Sequence, residues 1–478
     1  MSDIINLEPR AVWHFFDLVC SIPHPSGHEQ RLAEKLMEEA EKHGLSARRD
    51  AAGNVRIDRP AAPGMENLPT IILQGHMDMV PESDHEFDFI NTPISPRIDG
   101  EWVTACGTTL GADNGIGVAQ AMAILCDPAL KCGALAGVFT FEEETGMGGA
   151  AQIDPAFLAG DYLLNCDNDS SGQFCIGCAG GARQKFTFVP EWCLPEKNAC
   201  GLSITLTGLP GGHSGSCIQD DRGNAIRFLA EFLDMHPEIA LCSFDAGQVD
   251  NAIPAEAVVR GASVMPPEEL QKLADAFTLL IKEECTRAGN MRIIITPAAL
   301  PEKVWSVKFT GQLIPALALA PDGVIAYSEE FNAVRDSSNL AIIKSSDDAV
   351  LVFTSQRSLV DAERDNVCDL VKNHFTMFGA AAEKGHIYPA TTPKPASSLL
   401  ALALDVREKM GLPASVRVIH AGLESGWFSI KNPDLEILSC GPHMEEYHTP
   451  RERLSITSVQ EFDRFLRLLL NSLTQQRP

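Results

Sequence analysis

The chain lacks any long apolar stretch. Its 478 residues contain no run of the kind a membrane-spanning helix needs, which is about 18 apolar residues, so we expect no membrane partner. The first ten residues lack the basic and apolar regions of a signal peptide. We therefore expect a cytoplasmic protein whose 14 cysteines are free thiols.

Positive charge is scarce. Lys and Arg number 38 against 64 Asp and Glu, which gives a formal net charge of −26 at pH 7. Such an acidic surface repels phosphate backbones, so we expect no nucleic-acid partner. The 45% of hydrophobic residues is ordinary for a globular protein. The length is typical of two to four domains.

Three familiar site signatures are incomplete. The chain has one CxxC, Cys175-Ile-Gly-Cys178, and no second one to complete a four-thiolate zinc site. Gln120 stands where the last glycine of a GxGxxG pattern would be. Ser216 occupies the second glycine position of a serine hydrolase elbow. These absences argue against each of the three sites.

Hydrophobic periodicity predicts an α/β fold. Strand and helix patterns alternate through the first 185 residues, which is typical of a mainly parallel sheet flanked by helices. A different strand and helix rhythm begins near residue 200, and a Pro- and Thr-rich linker follows at 389–395. The segments after the linker resemble the first part. We therefore predict a discontinuous domain of residues 1–190 and 393–478 with a mixed, mainly parallel sheet, and an inserted α+β domain of residues 191–392.

Polar clusters follow the predicted strands or begin the predicted helices. They contain His76 with Asp78, Asp113, Glu142-Glu143-Glu144, and a late segment that includes His443 and His448. Strand ends are where open α/β sheets bind ligands. Three adjacent carboxylates after a buried strand repel one another, and metal cations would offset this repulsion. Taken singly, a surface turn explains His76 with Asp78 equally well, and a helix N-cap explains Asp113.

The order of these motifs resembles a known family, the two-zinc metallopeptidases that include aminoacylases, carnosinases and carboxypeptidases. The residues of the motifs are most similar to those of the bacterial aminoacyl-histidine (Xaa-His) dipeptidases. The motifs that carry the resemblance are Gly-His-Met-Asp-Met-Val at 75–80, Leu-Gly-Ala-Asp-Asn-Gly-Ile-Gly at 110–117, Glu-Glu-Thr-Gly-Met at 143–147, Gly-Cys-Ala-Gly-Gly at 177–181, Gly-Gly-His-Ser-Gly at 211–215, Asn-Ala-Ile-Pro at 251–254 and His-Ala-Gly-Leu-Glu at 420–424.

The resemblance implies a role for each matching residue. The implied metal ligands are His76, Asp113, Glu144, Asp167 and His448, with Asp113 bridging two zinc ions. Asp78 would orient His76, and Glu143 would be the general base. His213 would stabilise the oxyanion, often from the partner subunit, while Asn251 and Arg357 would contact substrate.

The resemblance also implies an activity. The expected enzyme hydrolyses Xaa-His dipeptides, including β-Ala-His, and other dipeptides, using water activated by two Zn²⁺ per subunit. Mn²⁺ or Co²⁺ are alternative metals for such ligands. The inserted domain would serve as a lid and join a homodimer. Two other readings remain: an N-acyl-amino-acid deacylase or other small-amide hydrolase with the same metal centre, and a non-catalytic scaffold that kept the fold.

The sequence departs from the family pattern at positions that are not predicted metal ligands. Asn168-Asp169 replaces the usual Thr-Glu, Ala255 replaces an Arg, and Ser425 replaces a Cys. Ala390-Thr391 stands where Gly-Trp is expected. We expect the changes at 255 and 390–391 to bear on which substrates fit.

Overall fold

The computed structural model describes residues 2–475. Within them the chain forms two compact units: the first comprises residues 2–177, 391–418 and 423–475, and the second comprises residues 178–390 and 419–422. The first unit contains a mixed α/β sheet and the second is an α+β unit. The fold class predicted from the sequence is confirmed.

The first unit is built on an eight-stranded sheet. Its strands in spatial order are Ser46–Arg49, Val55–Arg59, Leu135–Thr140, Ile71–His76, Tyr162–Asn165, Glu436–Ser439, Gln173–Cys178 and Ser415–Ile419. The four strands from Leu135–Thr140 to Glu436–Ser439 are parallel neighbours, whereas Ser46–Arg49 and Val55–Arg59 pair antiparallel at one edge. Parallel strands are buried on both faces, and every residue of Ile71–His76 and Leu135–Thr140 is buried.

Helices cover this sheet. The helices of the first unit are Arg10–Cys20, Gln30–Lys42, Ala112–Leu125, Gly148–Gln152, Ser398–Lys409, Ser425–Lys431 and Ile456–Gln475, with 3-10 turns at Asp3–Asn6 and Pro155–Leu158. Ala112–Leu125 is buried along almost its whole length and packs against Arg10–Cys20 and the central strands. A small antiparallel sheet is formed by Met444–Glu445, Arg453–Ser455, Trp102–Thr104 and Arg97–Asp99.

The second unit is built on a nine-stranded antiparallel sheet. Eight strands in spatial order are Arg292–Pro297, Cys200–Thr207, Ala257–Ser263, Ala240–Ala246, Ala333–Ser345, Val350–Ser358, Gly180–Phe188 and Ala381–Tyr388, and Gly323–Ser328 also pairs with Ala333–Ser345. Its helices are Ala225–Met235, Pro267–Glu284, Val307–Ala318 and Asp361–Met377, with a 3-10 turn at Ile218–Asp220. Two short strand pairs are Gly212–His213 with Ala252–Ile253 and Trp192–Cys193 with Val304–Trp305.

The division into units differs from the expected division at residue 190. The strand Gly180–Phe188 belongs to the second unit because it pairs with Val350–Ser358 on one side and Ala381–Tyr388 on the other. Residues 419–422 also belong to the second unit, which the sequence pattern did not indicate. None of the helices within residues 2–475 is both long and apolar enough to cross a membrane.

Candidate metal centre

Three neighbouring parallel strands of the first unit carry predicted site residues at their carboxyl ends. His76 ends the strand Ile71–His76 and lies opposite Thr140 in the register. Glu143 and Glu144 follow Thr140 after a short turn, and Asp167 lies two residues beyond the strand Tyr162–Asn165. The carboxyl ends of parallel strands share one edge of a sheet, so the topology brings these side chains together.

Asp113 reaches the same edge from the first turn of the helix Ala112–Leu125. Its backbone leaves helical geometry with φ −83° and ψ 104°. The next residue fixes the turn, because Asn114 Nδ2 donates to Cys166 O at 2.8 Å. A Cβ at Gly117 would lie 2.7 Å from that same oxygen, so the helix can approach the strand end closely only because residue 117 is glycine.

His448 completes the cluster from the end of the chain. It follows the short strand Met444–Glu445 and adopts φ 60°, a conformation that non-glycine residues rarely take. Its Nε2 lies 2.8 Å from Glu144 Oε1 and 3.2 Å from Asp113 Oδ2. The contacts of the ring help to keep the His448 backbone in this strained conformation.

The side chains form three groups of three. One consists of His76, Glu143 and Glu144, and the other two share the carboxylate of Asp113. His76, Asp113 and Asp167 form one group, and Asp113, Glu144 and His448 form the other, with the candidate ligand atoms of each group within 4.8 Å of one another. His76 Nε2 lies 3.2 Å from Asp113 Oδ1 and 3.5 Å from Asp167 Oδ1. The two Asp113 oxygens therefore face different histidines, as a carboxylate bridging two metal ions requires.

Asp78 supports the cluster from beneath and is fully buried. Its Oδ1 lies 3.3 Å from His76 Nδ1, which leaves Nε2 facing the cluster. The same carboxylate accepts the backbone N–H groups of Glu143 at 2.9 Å and Glu144 at 3.1 Å, and the Ser26 hydroxyl at 2.8 Å. Asp78 thus orients a predicted ligand and the turn that carries the two glutamates.

Burial and neighbouring charges shift the pKa values of the clustered acids and histidines. Burial raises the pKa of Asp167 to about 7, and burial raises the pKa of Glu143 well above its usual range. Burial opposes a charge on His448, but Asp113 and Glu144 outweigh it and raise the pKa of that ring to about 11. For His76 too, burial opposes the charge, and Asp167 and Asp113 outweigh it, so its pKa rises.

The cluster fits divalent metal ions. Among the residues that the structure describes, no lysine or arginine forms an ion pair with Asp113, Glu144 or Asp167. Three carboxylates and two imidazoles therefore converge without a lysine or arginine among their ion-pair partners. Such oxygen and nitrogen donors suit zinc, and they also accept manganese or cobalt.

The other predicted site residues lie in the second unit. His213 Nδ1 accepts the backbone N–H groups of Gly215 and Ser216, each at 3.2 Å, so the proton of a neutral ring is at Nε2. Asn251 lies beside this segment, where its backbone oxygen accepts the N–H of Ser214 at 2.8 Å. The side chain of Asn251 is exposed.

Arg357 lies in the strand Val350–Ser358 and is 5% exposed. Its Nη1 donates to Tyr388 Oη at 2.6 Å, and its Nε has no hydrogen-bond partner within residues 2–475. Burial lowers the pKa of His420, and the nearby charge of Arg357 lowers it further. His420 Nε2 lies 2.7 Å from Ser337 Oγ. Sequence reasoning assigned no role to His420, Ser337 or Tyr388, because only tertiary packing brings them to Arg357.

Two further buried acids were missed as parts of the centre. Glu424 accepts hydrogen bonds from Gln74 Nε2 at 2.6 Å and Thr140 Oγ1 at 2.7 Å, and burial raises its pKa to about 7. Glu452 contacts the turn that carries Asp113. The signal for Glu424 is its place in the motif at 420–424; for Glu452 it is its nearness to His448 along the chain.

The departures beside Asp167 form a local network. Arg417 donates to Asn168 Oδ1 and, at 2.9 Å, to Asp169 Oδ1. Asn168 Nδ2 also donates to Gln173 O at 2.7 Å. The changed residues therefore secure the loop after Asp167 and leave Asp167 itself within the cluster.

Comparisons with known proteins agree with this architecture. The sequence profile of Peptidase family M20/M25/M40 matches residues 72–472. The chain is 35% identical to the cytosol non-specific dipeptidase of Escherichia coli strain K12, over 99% of each chain. It superposes on the crystal structure of aminoacylhistidine dipeptidase from Vibrio alginolyticus with a TM-score of 0.88 and 38% identity, over 98% of each chain. Aminopeptidase PepT from Bacillus cereus shares the fold at 15% identity and a TM-score of 0.58, over 98% of this chain and 99% of that one.

Proposed function

Because the chain belongs to peptidase family M20/M25/M40, we propose that it is a metal-dependent dipeptidase that hydrolyses Xaa-His dipeptides, including β-Ala-His, and other dipeptides. The observation that carries the proposal is the pair of three-residue groups that share Asp113. The names of the two full-length relatives, a non-specific dipeptidase and an aminoacylhistidine dipeptidase, support the substrate class.

The proposed metals are two Zn²⁺ per subunit, one held by His76, Asp113 and Asp167 and the other by Asp113, Glu144 and His448. When bound, they supply Lewis-acid activation of water and of the peptide carbonyl. The contact of Asp78 with His76 Nδ1 leaves Nε2 as the atom of this ring that would hold a metal ion. Asp78 also accepts hydrogen bonds from the backbone N–H groups of Glu143 and Glu144, which keeps these two residues in position.

Glu143 is the proposed general base. Its carboxylate forms a group with ligand atoms of His76 and Glu144 that lie within 4.8 Å of one another. Glu143 belongs to neither of the two groups that contain Asp113. A carboxylate in this position takes a proton from the attacking water and gives it to the leaving amine.

His213 is the proposed oxyanion donor, and Asn251 and Arg357 are proposed substrate contacts. The two N–H groups received at Nδ1 support the His213 role, because the neutral ring then donates from Nε2. The unpartnered Nε of Arg357 supports recognition of a substrate carboxylate. By the same resemblance, we propose that the second unit serves as a lid and joins a homodimer, and that the enzyme is cytoplasmic.

Substrate profiling tests the proposal. Purified protein loaded with Zn²⁺ is incubated with β-Ala-His, α-Xaa-His and non-His dipeptides, a tripeptide and N-acetylated amino acids, with and without chelator. Chelator-sensitive release of amino acids from dipeptides, with the tripeptide spared, is the expected result. Cleavage of acylated amino acids alone would replace the proposal with a deacylase. Release that the chelator does not affect would refute metal dependence.

A further inference from the structure

Glu452 is a buried acid whose carboxylate is directed entirely at backbone amides. It is 1% exposed. Its Oε2 accepts the N–H groups of Leu110 at 2.7 Å and Gly111 at 3.0 Å, and its Oε1 accepts those of Ala112 at 2.8 Å and Asp113 at 3.2 Å. Four consecutive amides of one turn therefore converge on one side chain from the far end of the chain.

The conformation of the turn makes this convergence possible. Gly111 adopts φ 71°, and a left-handed residue lets successive N–H groups point into one concavity. Such concavities bind anions, and here Glu452 supplies the anion from within the protein. The amides lie at the start of the helix Ala112–Leu125, so without the carboxylate several buried donors would lose their partner.

The same carboxylate links this turn to the segment that carries His448. The N–H of Glu452 donates to Thr449 O at 3.1 Å, which closes a turn directly after His448. Asp113 and His448 face each other at 3.2 Å, although they come from distant parts of the chain. Glu452 therefore joins the backbones that present two side chains of one three-residue group.

We propose that Glu452 is a positioning residue that sets the spacing of Asp113 and His448 for metal binding. This inference rests on the proposed metal-dependent function. Its effect is expected to be greater on the group of Asp113, Glu144 and His448 than on the group of His76, Asp113 and Asp167. In the group of His76, Asp113 and Asp167, both His76 and Asp167 lie at strand ends that Glu452 does not contact.

The substitution Glu452→Gln tests the geometry directly. It keeps the shape of the side chain but places an NH₂ group against two N–H donors, so one pair of amides is repelled. The matched control is Glu446→Gln, because Glu446 lies on the same segment and pairs with the exposed Arg451. Gly111→Ala is a second variant, because it leaves Glu452 in place and strains the turn that Glu452 holds.

The measurement is calorimetric titration of chelator-treated protein with Zn²⁺, and titration with Co²⁺ followed by its visible absorption. Wild type and Glu446→Gln are expected to bind two ions with the same affinities. Glu452→Gln and Gly111→Ala are expected to bind one ion at least tenfold more weakly, with an altered Co²⁺ spectrum, and the other within threefold. Circular dichroism without metal verifies that each variant is folded.

The outcomes separate two failures. If wild type binds no metal, the proposed function fails and the inference fails with it. If wild type binds two ions and both variants bind them with unchanged affinity and spectrum, only the positioning role of Glu452 is refuted. If Glu452→Gln does not fold, Gly111→Ala decides by the same titration.

Discussion

The hydroxyl groups of Thr391 and Ser425 lie 2.7 Å apart in the interior of the first unit. By the resemblance to the bacterial aminoacyl-histidine dipeptidases, Thr391 stands where a tryptophan is expected and Ser425 stands where a cysteine is usual. Two separate departures from the family pattern are therefore partners in the fold. The pair links the segment that re-enters the first unit to the start of the helix Ser425–Lys431.

The first prediction concerns this pair. Thr391→Val and Ser425→Ala each remove one hydroxyl, and the double variant removes both. A buried hydrogen bond contributes about 1 kcal/mol, so the double variant is expected to lose about 1 kcal/mol less free energy of unfolding than the sum of the single variants. Urea unfolding of the four proteins measures the coupling. Strictly additive losses would show that the contact contributes no coupling energy.

The second prediction concerns Glu143. Glu143→Gln keeps the shape of the side chain but cannot accept a proton, so turnover of β-Ala-His is expected to fall roughly 10²- to 10⁴-fold. Metal content per chain is expected to stay at two. Glu142→Gln is the matched control, because Glu142 is the exposed neighbour in the same turn. Equal turnover in Glu143→Gln and wild type would refute the assignment of Glu143 as the general base.

The third prediction distinguishes the two late histidines. His448 contacts Glu144 and Asp113, whereas His443 contacts Asp169 O and Glu445. His448→Gln is expected to reduce bound Zn²⁺ from two ions to one at a concentration that saturates wild type. His443→Gln is expected to keep two. Elemental analysis after gel filtration measures both, and loss of an ion in His443→Gln alone would reverse the assignment.

The fourth prediction concerns stability in acid. Burial and the charge of Arg357 lower the pKa of His420 to about 3, whereas the pKa of an unfolded histidine is about 6.5. Between these values the unfolded chain binds a proton that the folded chain does not, so the contribution of His420 to stability is lost as pH falls below 6.5. From pH 7.5 to pH 5 the loss is about 2 kcal/mol.

Removing His420 removes this contribution. In His420→Gln the drop in free energy of unfolding between pH 7.5 and pH 5 is expected to be smaller than in wild type by about 2 kcal/mol. Urea unfolding at the two pH values measures the difference, which cancels the titration of the other groups. An identical drop in both proteins would show that His420 is protonated as readily in the fold as in the unfolded chain.

His76, Asp113 and Glu144 stand in polar clusters that follow predicted strands or begin a predicted helix, and strand ends share one edge of a parallel sheet. Asp167, and the choice of His448 over His443, came only from the resemblance to a known family. Glu452 has no such pattern, because its four partners are backbone amides of a distant turn. Thr391 and Ser425 were noted as separate departures, and their hydrogen bond depends on tertiary packing.

The units were harder to delimit than the motifs. Gly180–Phe188 has an alternating strand pattern that fits either sheet, and its hydrogen-bonding partners decide the matter. The short return of residues 419–422 to the second unit has no compositional boundary at all. Local sequence therefore indicated which elements form, whereas long-range pairing determines which unit each one joins.

The position of the strand Glu436–Ser439 has a consequence for synthesis on the ribosome. It lies between Tyr162–Asn165 and Gln173–Cys178 in the sheet, so the sheet of the first unit stays open until translation has passed residue 439. The second unit is nearly contiguous in the nascent chain and needs nothing beyond residue 422. The later unit along the chain can therefore fold first, and the metal-binding edge closes only when His448 and Glu452 emerge.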